Sequence, residues 1–152
     1  AEGENIAKGY WRDPEETAKT FRNGKLFTGD RATVDEDGFI YVVGRAKDFL
    51  KCGGTRVSCK QIEDEILQQG ELVEAAVVGV QDDLLGEAVK AFVVARPGST
   101  VTESDVRAFC RGRLLVQLVP QEVVFLDSLP KNESGKIVKE QLRNCVKSHS
   151  AQ

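Results

Sequence analysis

The sequence predicts a small α+β domain: a three-stranded sheet flanked by helices, with a β-hairpin, preceded by a helix and a hairpin from the edge of a larger domain. Three observations predict it. Ala75 to Val80 and Val89 to Ala95 are short runs rich in β-branched residues, separated by polar Gln81-Asp82-Asp83 and Gly86, and read as neighbouring antiparallel strands. Helix-start signals at Ser58 and Thr102 each precede an apolar stripe. The first 45 residues carry too little apolar surface to close a core, whereas residues 49 to 148 suffice for one.

In chain order, Asp13-Pro14-Glu15-Glu16 opens a short helix, with Asp13 as N-cap, proline at the first helical position and Glu16 three residues after the cap. The helix is expected to end near Phe21 to Gly24. Lys25 to Val34 and Phe39 to Val43 alternate around Asp35-Glu36-Asp37-Gly38, a turn composition that tolerates positive φ, so the stretch reads as a β-hairpin. Its far end delivers Gly44 and Arg45, and a glycine turn at Gly53-Gly54 follows.

Ser58-Cys59-Lys60-Gln61 has capping-box spacing. Ile62, Ile66 and Leu67 form the apolar stripe, and Gly70 stops the helix. Pro97-Gly98-Ser99 breaks the chain after the second sheet strand. Thr102 then starts a helix with Val106, Phe109 and Cys110 inward, Val123 to Leu126 is the third strand, and a last helix is expected from about Ile137 to Lys147.

Composition narrows the function classes. The 152 residues are 41% hydrophobic with a formal net charge of -3, which argues against a nucleic-acid footprint. No apolar run approaches membrane-spanning length, and no signal-peptide pattern stands at the start. A reducing, cytoplasmic setting is the expectation. Cys52, Cys59, Cys110 and Cys145 lack C-x-x-C spacing and the one histidine is His149, so no metal site is predicted. Without a methionine, and with an unpatterned Ala1-Glu2-Gly3-Glu4 opening, the chain reads as a fragment of a longer protein.

Three stretches carry chemistry. The first runs from Gly44-Arg45-Ala46-Lys47 to Gly54-Thr55-Arg56-Val57 and concentrates cations and two glycines between a strand and a helix. Such a place binds anions and bends, although Arg and Lys around a glycine turn are ordinarily a solvated hairpin. The second, Thr28-Gly29-Asp30, sets a carboxylate beside a glycine within a strand pattern, where a ligand can approach closely. A lone Asp there is commonly just a turn residue. The third, Leu129-Pro130-Lys131-Asn132-Glu133-Ser134-Gly135-Lys136, is a polar loop ending in a lysine. It is no phosphate-binding P-loop, since Pro130 and Ile137 stand where glycine and Ser/Thr belong.

Together with Gly9-Tyr10-Trp11 and Pro14-Glu15, these stretches occur in an order and spacing that resembles the C-terminal third of the adenylate-forming superfamily. That family comprises acyl- and aryl-coenzyme A synthetases, firefly luciferase and the adenylation domains of peptide synthetases. The resemblance implies a boundary: residues 1–46 as the edge of the large domain, residues 47–152 as a mobile C-terminal domain. It implies that Asp30 and Arg45 hold the ribose of ATP, that Val42 lies beside the nucleotide, and that Lys51 and Arg56 stand near nucleotide or phosphate. Lys47 falls on the hinge position. Gly53 and Gly54 match the loop lining the tunnel for coenzyme A. Lys136 matches the lysine that serves adenylation.

The implied partners are a carboxylic acid, ATP, coenzyme A, Mg2+ held mainly by the large domain, and that N-terminal large domain itself. The family's upstream phosphate loop is absent from these residues, so the chain alone is expected to be inactive. The general look resembles fatty-acid and other carboxylate ligases more than peptide-synthetase modules. Loading of a carrier-protein thiol in trans, or a non-catalytic module derived from this domain, stays open at this point.

Overall fold

Where the chain must reverse, glycine and asparagine set the first architecture. Residues 1–149 are described in this computed structural model, and they divide into two compact units, Ala1–Lys47 and the residues from Asp48 onward. In the first unit, α1 (Pro14–Thr20) begins with the Asp13 carboxylate accepting the Glu16 N–H at 2.9 Å, which satisfies a donor that has no partner inside the helix. The chain then folds into a miniature hairpin of β1 (Phe21–Arg22) and β2 (Lys25–Leu26). Asn23 and Gly24 form its turn, both at positive φ, the pairing that two-residue hairpins favour.

The expected strand from Lys25 to Val34 is therefore two strands. Gly29, at φ +74°, ends the first segment, and β3 (Asp30–Val34) pairs antiparallel with β4 (Ile40–Arg45). The Asp35 carboxylate closes their turn by accepting the Tyr41 hydroxyl at 2.8 Å and the Phe39 N–H at 2.8 Å. A register shift between Arg31 and Ala32 makes a bulge, which brings Asp30 directly opposite Arg45. None of residues 1–47 is buried.

The second unit is built on one long hairpin. β5 (Phe49–Cys52) and β6 (Thr55–Ser58) flank the glycine turn, Ser58 caps α2 (Cys59–Leu67), and β7 (Leu72–Asp82) and β8 (Gly86–Ala95) follow. These last two are longer than their β-branched cores predict, because the polar residues around the turn also pair, Asp82 opposite Gly86. α3 (Glu103–Arg111) opens with a capping box between Thr102 and Asp105. β9 (Glu122–Phe125) then runs parallel to β8, and α4 (Lys139–His149) closes the unit.

Strand order is β6-β5-β8-β7, with β9 also on β8. Because Cys52 pairs with Gly86, the β5-β6 hairpin extends the expected three strands to five. Alternation along β7 splits the core. Ala75 and Val77 pack with Ile62 and Ile66 of α2 and with Val106 and Cys110 of α3, while Ala76 and Val78 pack with Phe92, Leu129 and Leu142 on the other face. A sheet buried on both faces is a three-layer arrangement. α4 starts two residues later than expected, because Ile137 pairs with Lys131 and the Val138 N–H donates to the Pro130 carbonyl.

Candidate functional site

Hairpin pairing in the first unit brings two of the sequence-predicted residues together. Arg45 Nε lies 2.9 Å from Asp30 Oδ1, the Thr28 hydroxyl accepts the Asp30 N–H at 3.1 Å, and the Ala46 N–H donates to the Gly29 carbonyl at 2.7 Å. Thr28-Gly29-Asp30 and Gly44-Arg45-Ala46, separate in sequence, thus form one structure. A carboxylate has about four acceptor sites on its two oxygens, so one paired with Arg45 can still accept from a hydroxyl. Val42 stands on β4 opposite Ala32 and is exposed. Two shallow concavities of this unit, one beside Phe21 and one beside Trp11, contain none of the predicted residues.

A 3-10 turn, Ala46–Asp48, follows, with Lys47 exposed on it.

In the second unit the β5-β6 register sets Lys51 directly opposite Arg56. Leu50, Cys52 and Val57 point into the core, so alternation puts both cations on the outer face. Like charges directly opposite on a hairpin repel, and an anion between them relieves that repulsion. The Arg56 guanidinium also lies 5.4 Å from the Phe49 ring centroid. Gly53 and Gly54 form the turn at φ +53° and +79°, conformations costly to residues with a Cβ. Its position is fixed from outside: the Gly53 N–H donates to the Leu85 carbonyl at 2.9 Å, the Lys51 N–H to Glu87 Oε2 at 2.7 Å, and Gln117 Nε2 to the Thr55 hydroxyl at 3.0 Å.

Lys136 lies in the Lys131–Lys136 loop, and its ammonium has no ion-pair partner among the described residues. The loop is organised by Asn132, whose Oδ1 accepts the N–H groups of Ser134 at 3.1 Å and Lys136 at 2.9 Å. Asn132 N–H and Lys136 C=O also bond at 2.9 Å. Sequence reading named the loop but no role for Asn132, although an Asn three residues before a glycine is a recognisable turn signal. Lys131 pairs with Glu74 of β7.

The glycine turn and this loop stand at opposite ends of the β7-β8 hairpin. Cys52 pairs at Gly86, whereas Glu74 lies opposite Val94, eight residues further along β8, a separation of about 26 Å at strand rise.

Burial pushes the Cys59 and Cys110 thiols up to about 11 each, so both stay protonated and behave as core residues. Among the described residues no group of His, Cys, Asp and Glu is placed to hold a metal ion. Nor is any helix long and apolar enough to cross a membrane.

Residues 61–136, from mid-α2 through the lysine loop, match the model of the AMP-binding enzyme C-terminal domain. The chain belongs to that family. It is 41% identical over 140 residues to the long-chain-fatty-acid–CoA ligase of Bacillus subtilis, covering 92% of this chain and 25% of that protein. The ATP-bound structure of MatB from Rhodopseudomonas palustris matches with a TM-score of 0.78 at 42% identity, covering 93% of this chain and 28% of that one. The anthranilate CoA ligase AuaEII in complex with anthranoyl-AMP matches with a TM-score of 0.81 at 32% identity, covering 99% and 30%. This AMP-binding C-terminal domain chain therefore spans between a quarter and a third of each of these three proteins.

Proposed function

We propose that this chain works as the C-terminal part of an AMP-forming acyl-coenzyme A synthetase, with residues 1–46 as the edge of a large domain and residues 47–152 as a mobile domain pivoting at Lys47. The observation that carries the reading is the placement of two differently equipped loops, the Gly53-Gly54 turn and the Lys136 loop, at opposite ends of one rigid sheet. A body of that kind can present one end or the other to a common cleft, serving two successive reactions.

In the first reaction a substrate carboxylate attacks the α-phosphate of ATP, giving an acyl-adenylate and pyrophosphate. Two anions meet, and the Lys136 ammonium offsets the charge gathering on the transferring group. The Asp30 carboxylate, already oriented by Arg45, accepts from the ribose hydroxyls, and the opposed Lys51 and Arg56 suit phosphate. In the second reaction the thiol of coenzyme A attacks the acyl carbonyl and AMP leaves. Lys136 must then be withdrawn, and a turn without Cβ atoms leaves the thiol arm room to pass. As the family resemblance implies, Mg2+ is assigned mainly to the upstream part of the enzyme together with the phosphate loop, and the chain alone is expected to leave ATP intact.

The relatives act on chemically different acids, a long-chain fatty acid and anthranilate. The substrate is accordingly read only as a carboxylic acid. A cytoplasmic setting agrees with the unpaired, buried thiols of Cys52, Cys59 and Cys110.

One observation favours a second reading, in which the acceptor thiol belongs to a carrier protein. Leu84 and Val116 are 94% and 87% exposed, and each neighbours a residue that touches the glycine turn, Leu85 and Gln117. Comparing free coenzyme A with a carrier as acceptor decides between them.

The test of the main reading is Lys136→Ala in the full-length enzyme. Acid-dependent exchange of pyrophosphate into ATP should fall by roughly 100-fold or more, the size of one lost transition-state contact. Transfer from preformed acyl-adenylate to coenzyme A should be largely spared. Equal losses in both half-reactions reject the two-loop reading.

A further inference from the structure

Glu63 is 7% exposed, yet it is a carboxylate in the middle of α2. Its Oε1 accepts the Val77 N–H at 2.7 Å and lies 2.7 Å from Lys139 Nζ. β7 is an edge strand, so the Val77 N–H has no strand beside it, and a buried donor of that kind needs an acceptor. Glu63 supplies one. The same oxygen reaches past the strand edge to Lys139, the first residue of α4, only three residues after Lys136.

At the other end of the loop, Lys131 pairs with Glu74 on the same strand. Between these two anchors the loop is closed on itself by the Lys131–Ile137 pairing, the Val138 to Pro130 hydrogen bond and the Asn132 network. It is therefore stiff internally, and its placement is set where it joins the sheet. The downstream anchor is the more secluded: the side chains of Lys139 and Glu63 are 15% and 9% exposed, against 40% and 30% for Lys131 and Glu74.

We propose that Glu63 is a positioning residue for the Lys136 loop, clamping the start of α4 to the free edge of β7 through Lys139 and so fixing where the adenylation lysine stands. The inference rests on the role given to Lys136 above. A stabilising residue with no directional role would, when weakened, loosen α2 and with it the β5-β6 hairpin that leads into α2, so both half-reactions would suffer. A positioning residue acts on one end only. Misplacing a charge by about 1 Å is enough to cost up to 100-fold in rate.

Glu63→Gln keeps an acceptor for the Val77 N–H and removes the charge facing Lys139. In the full-length enzyme this variant should slow pyrophosphate exchange about tenfold and leave transfer from preformed acyl-adenylate to coenzyme A within about twofold. Removing one partner of a buried pair risks misfolding, whereas removing both charges is far better tolerated. Glu63→Gln/Lys139→Gln, which leaves no uncompensated charge, is therefore assayed alongside and should show the same split. Lys136→Ala is the reference. If it slows exchange selectively while the Glu63 variants leave exchange unchanged, or depress both half-reactions equally, the positioning role is overturned and the reading of Lys136 survives. If Lys136→Ala itself shows no selective loss, the failure lies in that reading.

Discussion

The Gly53-Gly54 turn and the Lys131–Lys136 loop occupy opposite ends of one sheet and are held by different forces. The turn is a hairpin end. Its shape comes from two adjacent glycines at positive φ, and its placement from strand register and short polar contacts with Leu85, Glu87 and Gln117. The loop has an internal frame built by one asparagine, but its placement depends on Lys131 and Lys139 pairing with Glu74 and Glu63, partners 57 and 76 residues away in the chain. Backbone conformation sets one site and long-range charge pairing sets the other, so substitutions of different kinds should disable them separately.

After Lys136→Ala, the largest separation is expected from Gly54→Leu. A Cβ at Gly54 would have no atom within 4 Å beyond its chain neighbours, so the first side-chain atom meets no collision within this unit. Its cost is the left-handed backbone, about 1–2 kcal/mol for a residue with a Cβ, together with bulk where the thiol arm should pass. Thiolation should drop by roughly 10- to 100-fold, with a far smaller loss in pyrophosphate exchange. Gly54→Ala sharpens the comparison, because it carries the backbone cost without most of the bulk. If leucine and alanine act alike, strain and not obstruction governs the turn. If Gly54→Leu slows exchange as much as thiolation, the two ends are not separate.

How much of this was legible in the sequence follows the same division. The glycine turn, the capping residues Asp13, Ser58 and Thr102, and the strands around Val77 and Val93 all depend on neighbours a few positions away, and periodicity and turn chemistry expose them. The short hairpin at Asn23-Gly24 was signalled in the same manner but was absorbed into the end of a helix. The buried Glu63 was not legible. On its own helix it is one more acidic residue between Ile62 and Asp64, and only the edge position of β7 and the arrival of Lys139 give it partners. Nor does any local pattern reveal that Asp30 and Arg45 stand opposite each other, since a bulge at Arg31 sets that register. The roles proposed for Asp30, Arg45, Lys51, Arg56 and Lys136 rest on ordered resemblance across the whole chain, because a charged residue in a loop carries no local mark of what it binds.

A smaller effect is expected at the upstream anchor of the lysine loop. The Lys131–Glu74 pair is partly exposed, and such pairs contribute about 0.2–1 kcal/mol. Lys131→Ala should therefore slow pyrophosphate exchange by only about 1.5- to 5-fold, less than Glu63→Gln, with thiolation unaffected. A loss larger than that of Glu63→Gln would move the dominant anchor from Lys139 to Lys131 and reverse the ranking argued from burial.

The smallest effect separates the two ends by pH. Asp82 caps the β7-β8 turn, its Oδ1 accepting the N–H groups of Leu85 at 2.8 Å and Leu84 at 3.0 Å, with Gln121 reaching Oδ2 at 3.2 Å. Those bonds, the one from Leu85 first, hold its carboxyl below the ordinary aspartate value of 3.8. A carboxyl depressed on folding adds stability that is fully present above its unfolded value and is lost as pH falls through the depressed one. Since the Leu85 carbonyl receives the Gly53 N–H, loosening this cap should loosen the glycine turn. Amide exchange at Leu84, Leu85 and Gly53, corrected for intrinsic rate, should accelerate as pH drops below 3.8, and Asp82→Asn should flatten the profile. The corresponding cap in the lysine loop is Asn132, whose amide does not titrate, so Ser134 and Lys136 should keep constant protection over the same range. Acceleration in parallel at both ends would mean that acid opens the unit as a whole, and that the turn and the loop share one cooperative structure.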